Sequence, residues 1–392
     1  MRKVLVVVLF VSLIVPITLL GQFYNPIFDF EPEVVDAKGA ALGRTTVLTT
    51  SGSNAIFTNP ASLGMLEGQV LQGGMRFFFG SRKIEYDQQG VDDQEASLPF
   101  HMKFNHASFA MPFQFEGSPV KTVFAAGYRT YYDYGYNYFE EDKDLDEEYT
   151  RKSHGGLNTL TFGGALNFND KLYAGLAINI GIMSKTSWEE EYKDDYGTEK
   201  EDGDGSVKGS FFTLGGIYQA SPKMALGFMY RPGFEAKFEE ESDYGDYDWD
   251  VTIPSLFALS AEYKMSETFM VVFEYQTRGL GDYEDEDNDM YGDSDNGSSI
   301  RIGSEIGGAA PFRFGFFMNS IPLWDIKNNG EYDEAPKSLT GFTGGISLPV
   351  SPKMDLDLFG EYAFFSVEDK YDEVTYKANS FKFGTTFTYW MK

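Results

Sequence analysis

The side chains that could do chemistry are few: the chain has three histidines and no cysteine. His101, His106 and His154 have no spacing that would gather them on a zinc ion. His106 and Ser108 lie two apart and share a face of a strand, as the base and nucleophile of a barrel lipase would. No orienting third group accompanies them. The chain is therefore not expected to be an enzyme, and no cofactor or metal centre is expected. What remains is charge. Arg129, Arg231, Arg278, Arg301, Arg313 and Lys382, with Glu262, Glu274, Glu305, Asp355, Asp357 and Glu361, fall on the small or polar face of alternating segments. One reading is a lattice of salt bridges inside a barrel. The other sets an arginine against a ligand carboxylate, which its planar fork suits. Arg129 and Arg313 are the candidates for that role. Arg313 shares its face with Gly315, Phe317 and Asn319, so Phe317 joins the candidate lumen contacts.

The elements that must position these residues are strands. Fourteen short stretches of alternating apolar and small or polar residues follow residue 68. In Lys171 to Ile182, for example, Leu172, Ala174, Leu176, Ile178, Ile180 and Ile182 take one side, and Tyr173, Gly175, Ala177, Asn179 and Gly181 the other. Such a strand suits a wall between lipid and water. A lysine or arginine on the lipid face near the midplane would cost about 2–4 kcal/mol, which places the charges inside. Tight junctions fall near Phe115–Pro119, Asn169–Asp170, Ser221–Pro222, Met265–Glu267, Gly307–Pro311 and Pro349–Pro352, roughly 40–50 residues apart, the length of two membrane strands and a long loop. Long acidic loops are expected near residues 84–100, 133–156, 188–205, 239–250, 281–298, 322–337 and 366–376. Six short turns and seven long loops join fourteen strands, an even number that closes without an edge. The expected fold is an all-β, fourteen-stranded antiparallel transmembrane barrel over residues 68–392.

Composition agrees. Aromatics make up 17% of the 392 residues and glycine 42 of them, as girdled strands require. With 60 acidic against 32 basic residues the formal charge is -28, which excludes nucleic acid as a partner. Residues 1–22 read as a secretory signal, with an uncleaved membrane anchor as the alternative: Arg2 and Lys3, an apolar run from Val4 to Leu20, then Gly21. The mature chain is thus expected in the outer membrane of a bacterium, without disulfides or a lipid anchor on cysteine. Residues 23–67 lack the strand pattern; they form either a plug inside the barrel or a periplasmic tail. Tyr131, Tyr132, Tyr134, Tyr136 and Tyr138 are expected in the interfacial girdle, with an external apolar capture groove as the alternative. The last strand, Phe381 to Trp390, with Phe381, Phe383, Phe387 and Tyr389 outward, has the look of the terminal signal read by barrel-assembly machinery.

The acidic runs Glu189–Glu191, Glu239–Glu241 and Asp282 to Asp295 read as a solvated, self-repelling surface. The alternative is divalent cations tying the loops to each other or to anionic lipopolysaccharide, since carboxylates suit Ca²⁺. Asp285, Asp287 and Asp289 are spaced like the start of an EF-hand loop, but Met290 stands where glycine is required.

The stretch GRTTVLTTSGSNAIFTNPASLG (43–64) resembles the N-terminal hatch of the FadL/TodX family of outer-membrane transport proteins, and Asn59-Pro60-Ala61 matches that family's Asn-Pro-Ala motif. LGFMYRPGF (226–234), IPSLFALSAEYKMSETFMVVFEY (253–275), SIRIGSEIGGAAPFRFGFF (299–317) and LTGFTGGISLPVSPKMDLDLFGEY (339–362) resemble its strands in order. The resemblance implies a hatch over 23–67 and passive passage of hydrophobic small molecules, long-chain fatty acids or hydrocarbons. Ligand would be caught outside and released sideways through an opening at a kink in the third strand. Gly127 is the candidate kink, with a small residue facing the lumen as the alternative. The resemblance carries no ligand-contact residues onto this chain. A non-transporting surface scaffold or secretion accessory, binding a partner through the acidic loops, is the alternative.

Overall fold

Alternation of the kind read in Lys171 to Ile182 is realised in space. Leu172, Leu176, Ile178 and Ile180 are exposed on the outer face, while Tyr173, Ala177 and Asn179 are buried inside. The computed structural model describes residues 34–86, 94–142, 147–182, 184–194, 196–242, 245–279, 284–285, 290–291, 297–320, 338–369 and 374–391. The segment 1–33, with the expected signal, lies outside the described residues, as do Asp287 and Asp289.

Fourteen strands form the wall. The first four are β1 (Gln69–Tyr86), β2 (Gln94–Phe113), β3 (Val120–Asp133, resuming as Tyr136–Asp142) and β4 (Glu147–Phe168). The next four are interrupted: β5 (Leu172–Gly181, then Lys185–Asp194), β6 (Gly197–Lys208, then Ser210–Ser221), β7 (Met224–Arg231, then Phe234–Ser242) and β8 (Gly245–Ile253, then Leu256–Lys264). The rest are β9 (Phe269–Arg278), β10 (Gly297–Ile306), β11 (Phe312–Ser320), β12 (Ser338–Ser351), β13 (Met354–Asp369) and β14 (Val374–Met391). Each pairs antiparallel with its neighbours in sequence. β14 then pairs β1 from Gln69↔Met391 to Tyr86↔Val374, closing the barrel.

The six tight junctions fall where the sequence placed them. At Asn169–Asp170 both residues have positive φ (57° and 56°), the backbone of a two-residue turn whose twist matches the strands it joins. Outward Phe100, Phe104, Phe162, Phe312, Phe314 and Phe342 form a broad apolar face for lipid. The arginines and Glu274 and Glu361 are buried inside.

Two expectations need correcting. Several acidic stretches expected as loops continue as strands: residues 185–194, 197–208, 234–242 and 245–253 pair in register beyond the lipid-facing band. Runs of glutamate and aspartate hid them because charge occupies both faces of a strand that water reaches from both sides. The second concerns Tyr131 and Tyr132, expected in the girdle but buried inside the barrel at 1% and 3% exposure. A register shift between Thr130 and Tyr132 inserts an extra residue, so two consecutive side chains turn inward.

Candidate functional site

The described part of the N-terminal segment, residues 34–66, occupies the lumen. It consists of a helix Ala37–Ala41 and two 3₁₀ turns, Gly52–Phe57 and Pro60–Met65, nearly all buried. Asp36 caps the helix by accepting from Lys38 N–H (2.8 Å). Asn59 caps the second turn by accepting from Ala61 N–H (3.1 Å) and donates Nδ2 to the Val47 carbonyl (2.9 Å). Pro60 stands at the first turn of this helix, where no N–H is needed. The Asn59-Pro60-Ala61 motif thus fastens one part of the segment to another.

The wall meets this segment at glycines. A Cβ on Gly215 would strike the Asn59 carboxamide, one on Gly175 the Pro60–Ala61 peptide, and one on Gly315 the backbone of Gly43. Polar side chains complete the seat. Glu361 accepts two bonds from Arg44 (2.8 and 2.6 Å). Glu274 accepts from the N–H groups of Thr46 and Val47, both at 2.8 Å, and Arg301 donates to the Arg44 carbonyl (2.6 Å). Ser108 donates to Asn54 Oδ1 (2.7 Å) and Asn54 Nδ2 lies 3.1 Å from His106 Nε2. His106 and Ser108 therefore both serve this seat, and each meets the carboxamide of Asn54.

Beyond the segment, towards the outer end, lies a small cavity lined by Val34, Phe57, Arg129, Tyr131, Arg231 and Arg301, among others. Its volume is about 40 Å³, room for a few waters. A cluster including Tyr131, Tyr132, Leu157, Phe211, Phe234 and Ile253 stands over its outer side. Arg231 donates to the Tyr131 hydroxyl and the Pro254 carbonyl, and its guanidinium lies 5.4–5.8 Å from the rings of Tyr131, Phe211 and Phe234. Arg129 stacks on Tyr131 (4.2 Å) and Phe57 (5.7 Å). Its Nε has no hydrogen-bond partner, and among the described residues Arg129 makes no ion pair.

The other candidates are placed differently. Arg313 is saturated: Nε meets Glu305 (2.7 Å), one terminal nitrogen Asp357 (2.7 Å) and the other Ser347 (2.6 Å). Phe317 is fully buried beneath the Arg44 guanidinium, 4.1 Å from its ring centre. Gly127 pairs in regular register with Ser108 on one side and Thr161 on the other. The irregularity of β3 lies four residues on, at Tyr131, and Gly127 instead makes room for Phe57. Asp285 belongs to a two-residue strand paired with Met290, and among the described residues no acidic group gathers a metal site.

A feature that sequence reasoning missed lies between β2 and β3. Their ladder stops at His106↔Arg129 and resumes only at Ser97↔Phe139, leaving residues 98–105 of β2 without ladder partners on that side. The seam lies at the level of lipid-facing Phe100, Met102 and Phe104. Further round, β4 to β8 are irregular at a matching level: Gly155 and Gly156 at positive φ, the gap after Gly181, Gly209, Pro232–Gly233 and Pro254–Ser255. Proline and glycine at these points remove a ladder donor or supply an unusual φ.

No protein-family model matches the sequence, and no curated protein matches it. Solved structures do. The toluene transporter TodX of Pseudomonas putida aligns at a TM-score of 0.62 and 12% identity, covering 93% of this chain and 99% of that one. The toluene transporter TbuX of Ralstonia pickettii aligns at 0.56 and 15% identity over 93% and 100%. A FadL homologue of Pseudomonas aeruginosa aligns at 0.59 and 10% identity over 91% and 98%. The chain therefore has the barrel fold of the TodX- and FadL-type transporters.

Proposed function

We propose that this protein is a passive outer-membrane channel for hydrophobic small molecules, long-chain fatty acids or hydrocarbons. The observation that carries the reading is the lumen cavity, whose lining mixes Phe57, Tyr131, Met229 and Leu256 with Arg129, Arg231 and Arg301, and which lies between a seated N-terminal segment and an aromatic cluster, reaching β3 at Arg129 and Tyr131 beside the unpaired seam. In this reading residues 23–67 are a hatch that blocks straight permeation. Ligand enters from outside past the Tyr131–Phe211–Phe234 cluster and leaves sideways into the bilayer. At about 40 Å³ the cavity is smaller than such a ligand, so occupancy requires the cluster to part. Arg129, which forms no ion pair among the described residues, is the contact for a ligand carboxylate. Arg313 is committed to Glu305 and Asp357 and supports the wall instead.

The structural neighbours TodX and TbuX are toluene transporters, which is consistent with this reading. Export by residues 1–22, contact of the last strand with barrel-assembly machinery and contact of the outer strands with lipopolysaccharide complete the proposal. Binding of radiolabelled oleate and toluene to purified protein tests it. Saturable binding of oleate that weakens in Arg129→Gln is expected; no binding of either probe by a folded barrel would overturn it. That result would favour the scaffold alternative, for which the charged strands beyond the lipid band supply a surface.

A further inference from the structure

Where ladder bonds are missing between β2 and β3, side chains take their place. Lys103 Nζ donates to Asp133 Oδ1 and to the Gly155 carbonyl (2.9 Å), so one ammonium on β2 reaches both β3 and β4. Asp133 Oδ1 also accepts from Gly135 N–H (2.9 Å), holding the point where β3 breaks. His101, two residues before Lys103, packs its ring on Gly135, where a Cβ would lie 3.0 Å away, and its Nε2 is 3.8 Å from Asp133 Oδ2. The side chains of Lys103 and Asp133 are about one-fifth exposed, in a stretch of wall whose outer face is Phe100, Met102 and Phe104.

We propose that Lys103 and Asp133 form a latch that holds this seam shut, and that opening of the pair sets the rate at which ligand leaves through the wall. The latch is the closure itself; its link to ligand passage rests on the transport reading given above. A ladder of backbone bonds opens only with the loss of many hydrogen bonds, each costly in lipid. An ion pair with one further carbonyl acceptor opens by exchange of a few partners, and water or an anionic headgroup can replace Asp133 on Lys103. Removing one member of such a pair leaves the other charge uncompensated in a low-dielectric wall, which favours separation of the strands and hydration of the seam.

Because the chain has no native cysteine, a spin-label pair can be introduced without background. Labels at Met102→Cys on β2 and Asn137→Cys on β3 report the width of the seam by pulsed electron spin resonance. The proposal expects a narrow distance distribution in the parent. Lys103→Met and Asp133→Asn should each shift it to longer and broader distances, and Lys103→Arg should leave it narrow. Oleate and toluene release from proteoliposomes should rise about tenfold in the two broadened variants, the change given by about 1.4 kcal/mol of lost closure. Unchanged distances in both Lys103→Met and Asp133→Asn would overturn the latch. If either fails to insert, the exchanged pair Lys103→Asp/Asp133→Lys decides: a narrow distribution there supports the latch, and a broad one counts against it. Distances that widen in a protein transporting neither probe would uphold the latch and overturn the transport reading, so the two failures are distinguishable.

Discussion

The two halves of the lumen are built by opposite means. At the hatch, the wall is a nearly continuous ladder, with one register shift beside Gly74, and the segment inside it is held by glycine seats and charge-assisted bonds, chiefly Arg44–Glu361 and the Glu274 cradle. At the outer end the wall breaks in strand after strand, and closure falls to aromatic rings, Arg231 and the Lys103–Asp133 pair. Backbone ladders with buried ion pairs make a part that stays put. Bulges, prolines and rings make a part that can part and reseal without unpairing the rest of the barrel. The proposed channel, holding back ions yet admitting a greasy molecule, would use both kinds of construction, one below the other.

The largest loss is expected at the hatch. Glu361→Ala leaves the Arg44 guanidinium buried without its carboxylate, and a loss of about 3–5 kcal/mol is expected. Urea unfolding in micelles would show it, with ion conductance appearing in planar bilayers as the segment loosens. Retained stability and a sealed barrel would mean that this pair does not anchor the hatch. A smaller loss, about 1–3 kcal/mol, is expected for Gly215→Ala, whose methyl meets the Asn59 carboxamide. The same substitution at exposed Gly308, where a Cβ meets nothing and the backbone is not in the left-handed region, is the control and should be silent. At the outer end, Tyr131→Phe removes one hydroxyl from Arg231 and should cost about 1.5–3 kcal/mol at most, the range for a bond to a charged group. Its larger effect should be on ligand entry rate, separating the outer half from the inner.

The least effect is expected on the strands beyond the membrane. There Lys200 donates to Glu191 and holds its carboxyl below the usual range. Whatever this pair adds is present at neutral pH and fades as pH falls through the lowered value. Both groups are bathed in solvent, so Lys200→Ala should leave the melting temperature unchanged, and moderate salt should do the same. A clear shift would mean that the outer sheet contributes to stability as the hatch seat does.

Much of the inner half was legible in the sequence. Alternation fixes which face of each strand meets lipid, so the inward placement of Arg301, Glu274 and Glu361 follows from residue parity. The Ser-Pro, Asn-Asp and Gly-rich junctions mark the short turns by their backbone demands. The inward glycines were visible as small residues, but which of them receives the hatch depends on how a non-repeating segment lies in three dimensions. The outer half was harder for one physical reason. A bulge shifts parity by a single residue and leaves no mark in composition, so Tyr131 and Tyr132 read as girdle residues although both turn inward. The seam was hidden likewise, because Lys103 and Asp133 are distant in sequence and ordinary in type.

Passive transport is tested by uptake of radiolabelled oleate into cells depleted of metabolic energy, with and without this protein, beside the Glu361→Ala variant. A passive channel gives saturable uptake that needs the protein but no energy source, and a changed rate when the hatch is loosened. Uptake no greater than in cells lacking the protein, with the barrel folded in the outer membrane, would contradict it.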